Sequence, residues 1–296
     1  MQDTFATYHP IINFLYFSLV LGFSMGLNHP IAQALSLVGA CAYACQIEGS
    51  KAAFFSLKFC LPMLLLTAFV NPAFNHAGAT ILCYLPTGNP LTLESILYGF
   101  SAGCMLVTVM LWFVSFNRVI TSDKFIYLFG RVIPAMSLVL SMSLRFIPRF
   151  KTQLQAVTEA QKSVGNDVSQ GSLWKRTKVA ITILSILVTW ALENAIESAD
   201  SMKSRGYGLH GRTAYSNYRF QERDKSALIW LLFCGVFLLS GVISQAFGFR
   251  FFPSIRYVDL NPMVLSFYLV YFALCITPIY LNILEDRKWR TISSAM

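Results

Sequence analysis

Arg145-Phe146-Ile147-Pro148 opens, and Ser201-Met202-Lys203-Ser204-Arg205-Gly206-Tyr207-Gly208 closes, a polar and helical block inside an otherwise apolar chain. Ala160-Gln161-Lys162-Ser163-Val164-Gly165 lies between them. Two long helical patterns run through the block, and each heads toward a basic residue and stops at a glycine. The two tips read as the part of a membrane protein that meets a soluble partner.

The composition around the block sets the fold class. The chain has 296 residues, of which 55% are hydrophobic and 12% charged, with a mean hydropathy of +0.56. A soluble domain carries about 25% charged residues. Apolar runs of about 20 residues are transmembrane candidates, and no short alternating segments suggest a β-barrel. The expected class is an all-α polytopic membrane protein: about six transmembrane helices plus a cytoplasmic coupling domain of two long crossing helices. Domain bounds of 1–117, 118–225 and 226–296 separate the N-terminal helices, the coupling region and the C-terminal helices.

The net charge is +9, and 16 of the 23 Lys and Arg residues fall between Arg118 and Lys225. Basic segments beside membrane spans stay on the cytoplasmic side, so the middle block is expected there. Topology and anionic lipid account for the charge, and no nucleic-acid motif accompanies it. The seven cysteines, Cys41, Cys45, Cys60, Cys83, Cys104, Cys234 and Cys275, form no CxxC pair. They read as small hydrophobes rather than zinc or redox ligands. Met1 to Pro10 holds Asp3 and no Lys or Arg. A secretory signal would begin with positive charge, so the first apolar run is expected to be a retained span.

Six spans are expected, at Ile11–Leu27, Ile31–Ile47, Ala52–Val70, Leu91–Phe116, Ala227–Phe247 and Pro262–Leu284. That number puts both termini in the cytoplasm. Asn71 to Pro90 carries no Lys or Arg and many turn formers, which suggests the outer side and a short hairpin. Glu94 belongs at a solvated outer end or a helix N-terminus, where a carboxylate suits the dipole. Phe125 to Leu144, interrupted by Arg131 and Pro134, is expected as a helix at the interface, continuing through Pro148 and ending near Gly165. Gly171-Ser172 opens the next helix, from about Leu173 to Arg205. Its apolar part, Val179 to Leu192, is short for a span and suits a buried helix. No internal repeat stands out.

Ala191, Ala195 and Ala199 recur at four-residue spacing, as do Ala156 and Ala160 on the preceding helix. Small residues at this spacing let backbones approach, so the two helices are expected to cross there. Arg205 followed by Gly206 has an ordinary structural meaning, a left-handed glycine after a helix end with a cation facing the dipole. The doubled tip adds a functional one, because a guanidinium on a rigid helix end can pair bidentately with a partner's carboxylate.

Ser204-Arg205-Gly206, within ESADSMKSRGYG, resembles the second Ala-Arg-Gly signature of the transmembrane T component of energy-coupling factor (ECF) transporters. Arg145-Phe146-Ile147-Pro148 is similar to the start of that family's first coupling helix, and Ala160 to Gly165 falls where its first signature belongs. Asn71-Pro72-Ala73-Phe74-Asn75-His76 also looks like a stretch of some members. The resemblance implies a non-catalytic scaffold in a prokaryotic plasma membrane. Two cytosolic ABC ATPases would dock its tips, and a separate S component would capture the vitamin or metal. The chain itself would bind no cofactor, with ATP and Mg on the ATPases. Docking would fall to Ser204, Arg205 and Gly206 at one tip and to Lys162, Val164 and Gly165 at the other. The chain departs from the pattern at Val164, where the family would have arginine. Lys162 offers only a point charge nearby. Arg205 is therefore expected to be the stronger anchor.

Three other readings compete. In an ordinary ABC importer permease, Glu159-Ala160-Gln161 with Gly165 would imitate the cytoplasmic loop, but Trp174-Lys175-Arg176-Thr177-Lys178 stands where its later half should be. An intramembrane enzyme could use Asn71, Asn75 and His76, yet no triad spacing or HExxH accompanies them. His9, His29 and His210 are isolated and read as interface residues. A secondary transporter would place ionisable groups at midmembrane, where few stand here. No GxxxxGK[ST] loop is present, so ATP hydrolysis would belong to another chain.

Overall fold

The computed structural model describes residues 3–84, 89–130, 133–209, 218–258 and 261–295. Arg131 and His210 lie outside them. The chain is an all-α polytopic membrane protein with two small hairpins, divided into two compact units: Met1–Lys124 with Tyr218–Met296, and Phe125–Asn217.

The first unit contains α1 (Pro10–Gly26), α2 (Pro30–Glu48), α3 (Ser50–Phe74), α4 (Leu93–Val119), α8 (Glu222–Ile243) and α9 (Pro262–Ala295). Each expected span falls on one of these helices. By length and apolarity, the candidate spans are Pro30–Ile47, Leu93–Val119, Leu173–Ser204, Glu222–Ile243 and Pro262–Lys288, while Pro10–Gly26 and Cys60–Phe74 are shorter. The helix from Leu173, expected as a buried non-spanning element, thus has the length and hydropathy of a span. Two short connections are antiparallel hairpins: β1 (Ile81–Tyr84) with β2 (Pro90–Thr92), and β3 (Phe249–Arg250) with β4 (Arg256–Tyr257). The first of them falls in the segment expected to form a hairpin, although α3 runs on through Pro72 to Phe74.

The same tripeptide starts both N-terminal helices. In His9-Pro10-Ile11 and His29-Pro30-Ile31 the histidine is the N-cap and proline begins the helix. Each imidazole Nδ1 accepts from the amide two residues on, at 3.3 and 3.2 Å. Proline suits this position because its missing N–H would be unpaired anyway. The accepting Nδ1 is that of a neutral ring, and burial lowers the pKa of both histidines, with Asp224 opposing the shift at His9.

Aromatic and small side chains fill the core. Tyr16, Phe17, Tyr43, Trp112 and Tyr271 are almost wholly buried. Their polar atoms are paired across helices: Ser24 and Ser36 hydroxyls lie 2.7 Å apart, Trp112 Nε1 donates to Ser36 Oγ, and Tyr16 donates to the Cys275 carbonyl. Gly99 and Gly103, one turn apart on α4, receive the backbone of α3. A Cβ at Gly99 would stand 3.0 Å from the Thr67 carbonyl, and one at Gly103 would meet Thr67 Oγ1 and, at 3.2 Å, Leu64 Cα. This Gly-x-x-x-Gly pair is the small-residue contact by which helices approach in lipid. Glu94, at the N-terminus of α4, is buried and accepts from the Thr80 hydroxyl at 2.8 Å and from its amide. It is therefore sequestered rather than solvated.

One buried cation closes the unit. Lys124 is 7% exposed, and its Nζ donates to the carbonyls of Ala6 and Val119. The Asn13 amide, oriented as its neighbours require, adds a third acceptor at 2.8 Å. All three ammonium protons are thereby used. Burial lowers this lysine to about 8, with nearby Asp3 opposing the shift.

The second unit is built on α6 (Pro134–Ser163) and α7 (Leu173–Ser204), preceded by α5 (Ser122–Gly130). The stretch from Phe125, expected as one continuous helix, is two: α5 ends at Gly130 and α6 begins with Pro134. Passage through Pro148 and the start after Ser172, whose hydroxyl accepts from Lys175 N, are as expected. The two helices pack antiparallel. Val157 clusters with Val179, Ile183 and Leu187, and Phe150 meets Trp190 edge-on at 5.5 Å.

Candidate docking tips

Both helix ends of the second unit carry the same cap. At the end of α6, Val164 is the C-cap and Gly165 follows with φ +85°. Gly165 N donates to the Lys162 carbonyl at 3.0 Å and Asn166 N to that of Gln161 at 2.9 Å. At the end of α7, Arg205 is the C-cap and Gly206 follows with φ +76°. Gly206 N donates to the Lys203 carbonyl at 2.9 Å and Tyr207 N to that of Met202 at 3.0 Å. Each is a Schellman motif, in which a left-handed residue lets two trailing amides satisfy carbonyls the helix leaves open. Glycine fits because a side chain would cost about 1–2 kcal/mol in that conformation.

The caps make Val164 the geometric equivalent of Arg205. Both are exposed, Val164 to 78%. Lys162 stands two residues inside the first tip and is also exposed. The Ser169 amide and hydroxyl, at 2.8 and 2.7 Å, hold the Asp167 carboxyl below its usual value, and Lys162 adds to the effect. Arg176 Nε donates to the Val168 carbonyl at 2.7 Å and ties this loop to α7. Ser204 donates back to the Ser201 carbonyl, so its hydroxyl serves the last turn.

The alanine faces are not where α6 and α7 meet. Ala156, Ala160, Ala195 and Ala199 are exposed, and Ala191 is half-buried. The valine, isoleucine, leucine and aromatic side chains described above form the seam instead. Alanine offers little area to bury, so the larger apolar side chains dominate the contact. A second apolar row on α7 is uncovered within the unit: Ile181, Leu184, Val188, Leu192 and Ile196 are all at least half exposed.

The sequence treats Arg145 and Arg205 as belonging to different ends. The antiparallel register brings them together: Arg145 and Arg149 of α6 line one cleft with Arg205. That pairing is invisible until the register is known. The residues of the enzymatic alternative serve loop geometry. Asn71 Nδ2 donates to the Ser95 carbonyl at 2.7 Å, Asn75 Oδ1 accepts from Ala77 N, and His76 Nε2 lies 3.1 Å from Asn89 Nδ2. Among the described residues no group of His, Cys, Asp and Glu could hold a metal ion.

The pattern of the cobalt transport protein family, CbiQ, matches residues 11–215, which take in both tips and the helices that carry them. The chain belongs to the CbiQ family. This CbiQ-family protein is also similar to curated transmembrane proteins, named EcfT, of energy-coupling factor transporters. It is 40% identical over 100 residues to that of Bacillus selenitireducens, covering 33% of this chain and 37% of that one. It is 36% identical over 105 residues to that of Lactococcus lactis subsp. cremoris, covering 35% and 40%. The Staphylococcus aureus protein is 33% identical over 119 residues, covering 40% and 43%. The chain spans about two-fifths of the length of these curated relatives. It is an EcfT-like membrane protein.

Proposed function

We propose that this EcfT-like chain is the membrane scaffold of an ECF-type importer, transmitting ATP-driven movement from two cytosolic ATPases to a substrate-binding S component. The supporting observation is the pair of identical caps, which hold two exposed C-cap side chains on rigid helix ends. A docking element needs that rigidity, because a side chain already ordered loses less entropy on binding. The ATPases carry ATP and Mg, and this chain contributes no catalytic group. Cargo, a vitamin or a metal, is held by the S component. The uncovered row from Ile181 to Ile196 supplies apolar surface of the kind a membrane partner covers. The middle unit and both termini face the cytoplasm, as the concentration of basic residues favours.

Docking is asymmetric. Arg205 presents a planar fork to a carboxylate, whereas Val164 presents none and Lys162 offers only a point charge. Tagged chain purified in mild detergent should bring down two Walker-type ATPases and a small hydrophobic protein. Arg205→Ala should lower ATPase recovery more than Lys162→Ala does. Equal losses remove the asymmetry, and recovery of no ATPase at all removes the scaffold reading.

A further inference from the structure

We propose that Arg145 and Arg149 of α6 complete the second tip, forming with Arg205 a composite cleft that takes carboxylate side chains of the docking ATPase. This rests on the docking reading above and adds residues to it. The cleft, a cavity of about 560 Å³, opens between α6 and α7 just beyond the Phe150–Trp190 contact. Up to that contact, apolar side chains close the seam. Beyond it Arg145 and Arg149 on one helix and Glu197, Ser198, Ser201 and Arg205 on the other line the cleft, together with apolar side chains such as Met142 and Met202. Among the described residues, none of the three guanidiniums makes an ion pair or a hydrogen bond. Three positive charges therefore face a single carboxylate, Glu197, which is itself unpaired.

Like charges on facing helices oppose closure of the seam, and an anion between them removes that opposition. Guanidinium forks match carboxylates in bidentate geometry. The hydroxyls of Ser198 and Ser201 add hydrogen-bonding wall, which favours an acidic protein segment over a lipid's acyl chains. The Schellman cap fixes the backbone of Arg205, and Arg145 and Arg149 stand on the continuous helix α6. At the first tip the capped position is Val164, and Lys162 offers a point charge in place of a fork.

The test uses full-length tagged chain assembled with its two ATPase subunits in nanodiscs. The fraction of ATPase retained is measured against NaCl concentration, in neutral phosphatidylcholine and with phosphatidylglycerol added. Arg145→Gln/Arg149→Gln should weaken retention about tenfold for each arginine removed, the size of a charge-assisted hydrogen bond. Dissociation should also move to lower salt, as expected of an exposed ionic contact. Arg145→Lys/Arg149→Lys, which keeps charge without the fork and preserves folding if the glutamine pair does not, should lose an intermediate amount. Wild-type retention in both double variants, with loss in Arg205→Gln, overturns the composite cleft and leaves docking at Arg205 standing. Unchanged retention in all three variants overturns the docking reading too. A loss confined to discs with phosphatidylglycerol makes the cleft a lipid site and also overturns the proposal.

Discussion

Val164 and Arg205 occupy the same position in two copies of one cap, and at that position the tips differ only by the side chain. Val164 packs against little, being 78% exposed, so Val164→Arg should leave stability within about 0.5 kcal/mol. It should strengthen ATPase retention at the first tip about tenfold, measured by copurification against salt. The glycines give a second comparison. Gly165→Ala should cost about 1–2 kcal/mol from its φ alone. Gly206→Ala should cost about the same, because its Cβ would meet only the exposed end of Leu209, which can swing aside. Thermal unfolding of the two variants side by side checks the equality. Both glycines were readable in the sequence, since only the local end of a helical pattern is needed to place them. The histidine caps were equally local, and the repeated His-Pro-Ile was there to be noticed. Burial lowers the pKa of His9 and His29 in the folded protein, with Asp224 opposing the shift at His9. As pH falls below about 6.5, the unfolded chain takes up protons that the folded one resists, so stability should drop in that window. Replacing His29 by Asn, which caps without titrating, should flatten part of the decline in a pH series of melting temperatures.

At the scale of the helices, small-residue spacing marks a close crossing, but in α3 and α4 rather than α6 and α7. Gly99 and Gly103 bring α4 against the backbone of α3, while four of the five alanines singled out face outward. The spacing is identical in both places, so the pattern alone does not discriminate. Surroundings do: in lipid, close approach and dispersion hold helices together, whereas in an amphipathic pair the larger side chains win by burying more area. Gly103→Leu should therefore destabilise the protein by about 1–3 kcal/mol or more through overpacking. Ala195→Leu, on an exposed face, should stay within about 0.5 kcal/mol. A reversal of that order in thermal unfolding would return the crossing to the alanines. Most helices were legible because their apolar runs are long and often bounded by Pro, Gly, Asn or charged residues, although the break between α5 and α6 was not. Registers between helices were not, and so Arg145 and Arg149 could not be placed beside Arg205 from spacing alone.

For the whole molecule, Lys124 is the last residue of the first unit, and the chain passes from it directly into the second. Its ammonium satisfies acceptors from the N-terminal segment, α1 and the end of α4. Lys124→Met would strand those acceptors at roughly 1–3 kcal/mol for each left buried, and should lower the melting temperature well beyond the change caused by Lys225→Met on the surface. Nothing in the sequence distinguishes Lys124 from the other basic residues of the middle block, because its burial follows from how distant segments fold over it. Inside the second unit, the antiparallel pairing of α6 and α7 has a mechanical consequence. Arg205 lies beside Arg145, and α6 ends 18 residues farther on at Ser163, just before the Gly165 tip, about 27 Å at 1.5 Å per residue. The hairpin is thus a strut of fixed length with a fitting near each end. A pair of partners gripping both fittings cannot change their spacing by compressing it. They can only tilt or turn it, so approach between the partners is converted into rotation of the bar between them.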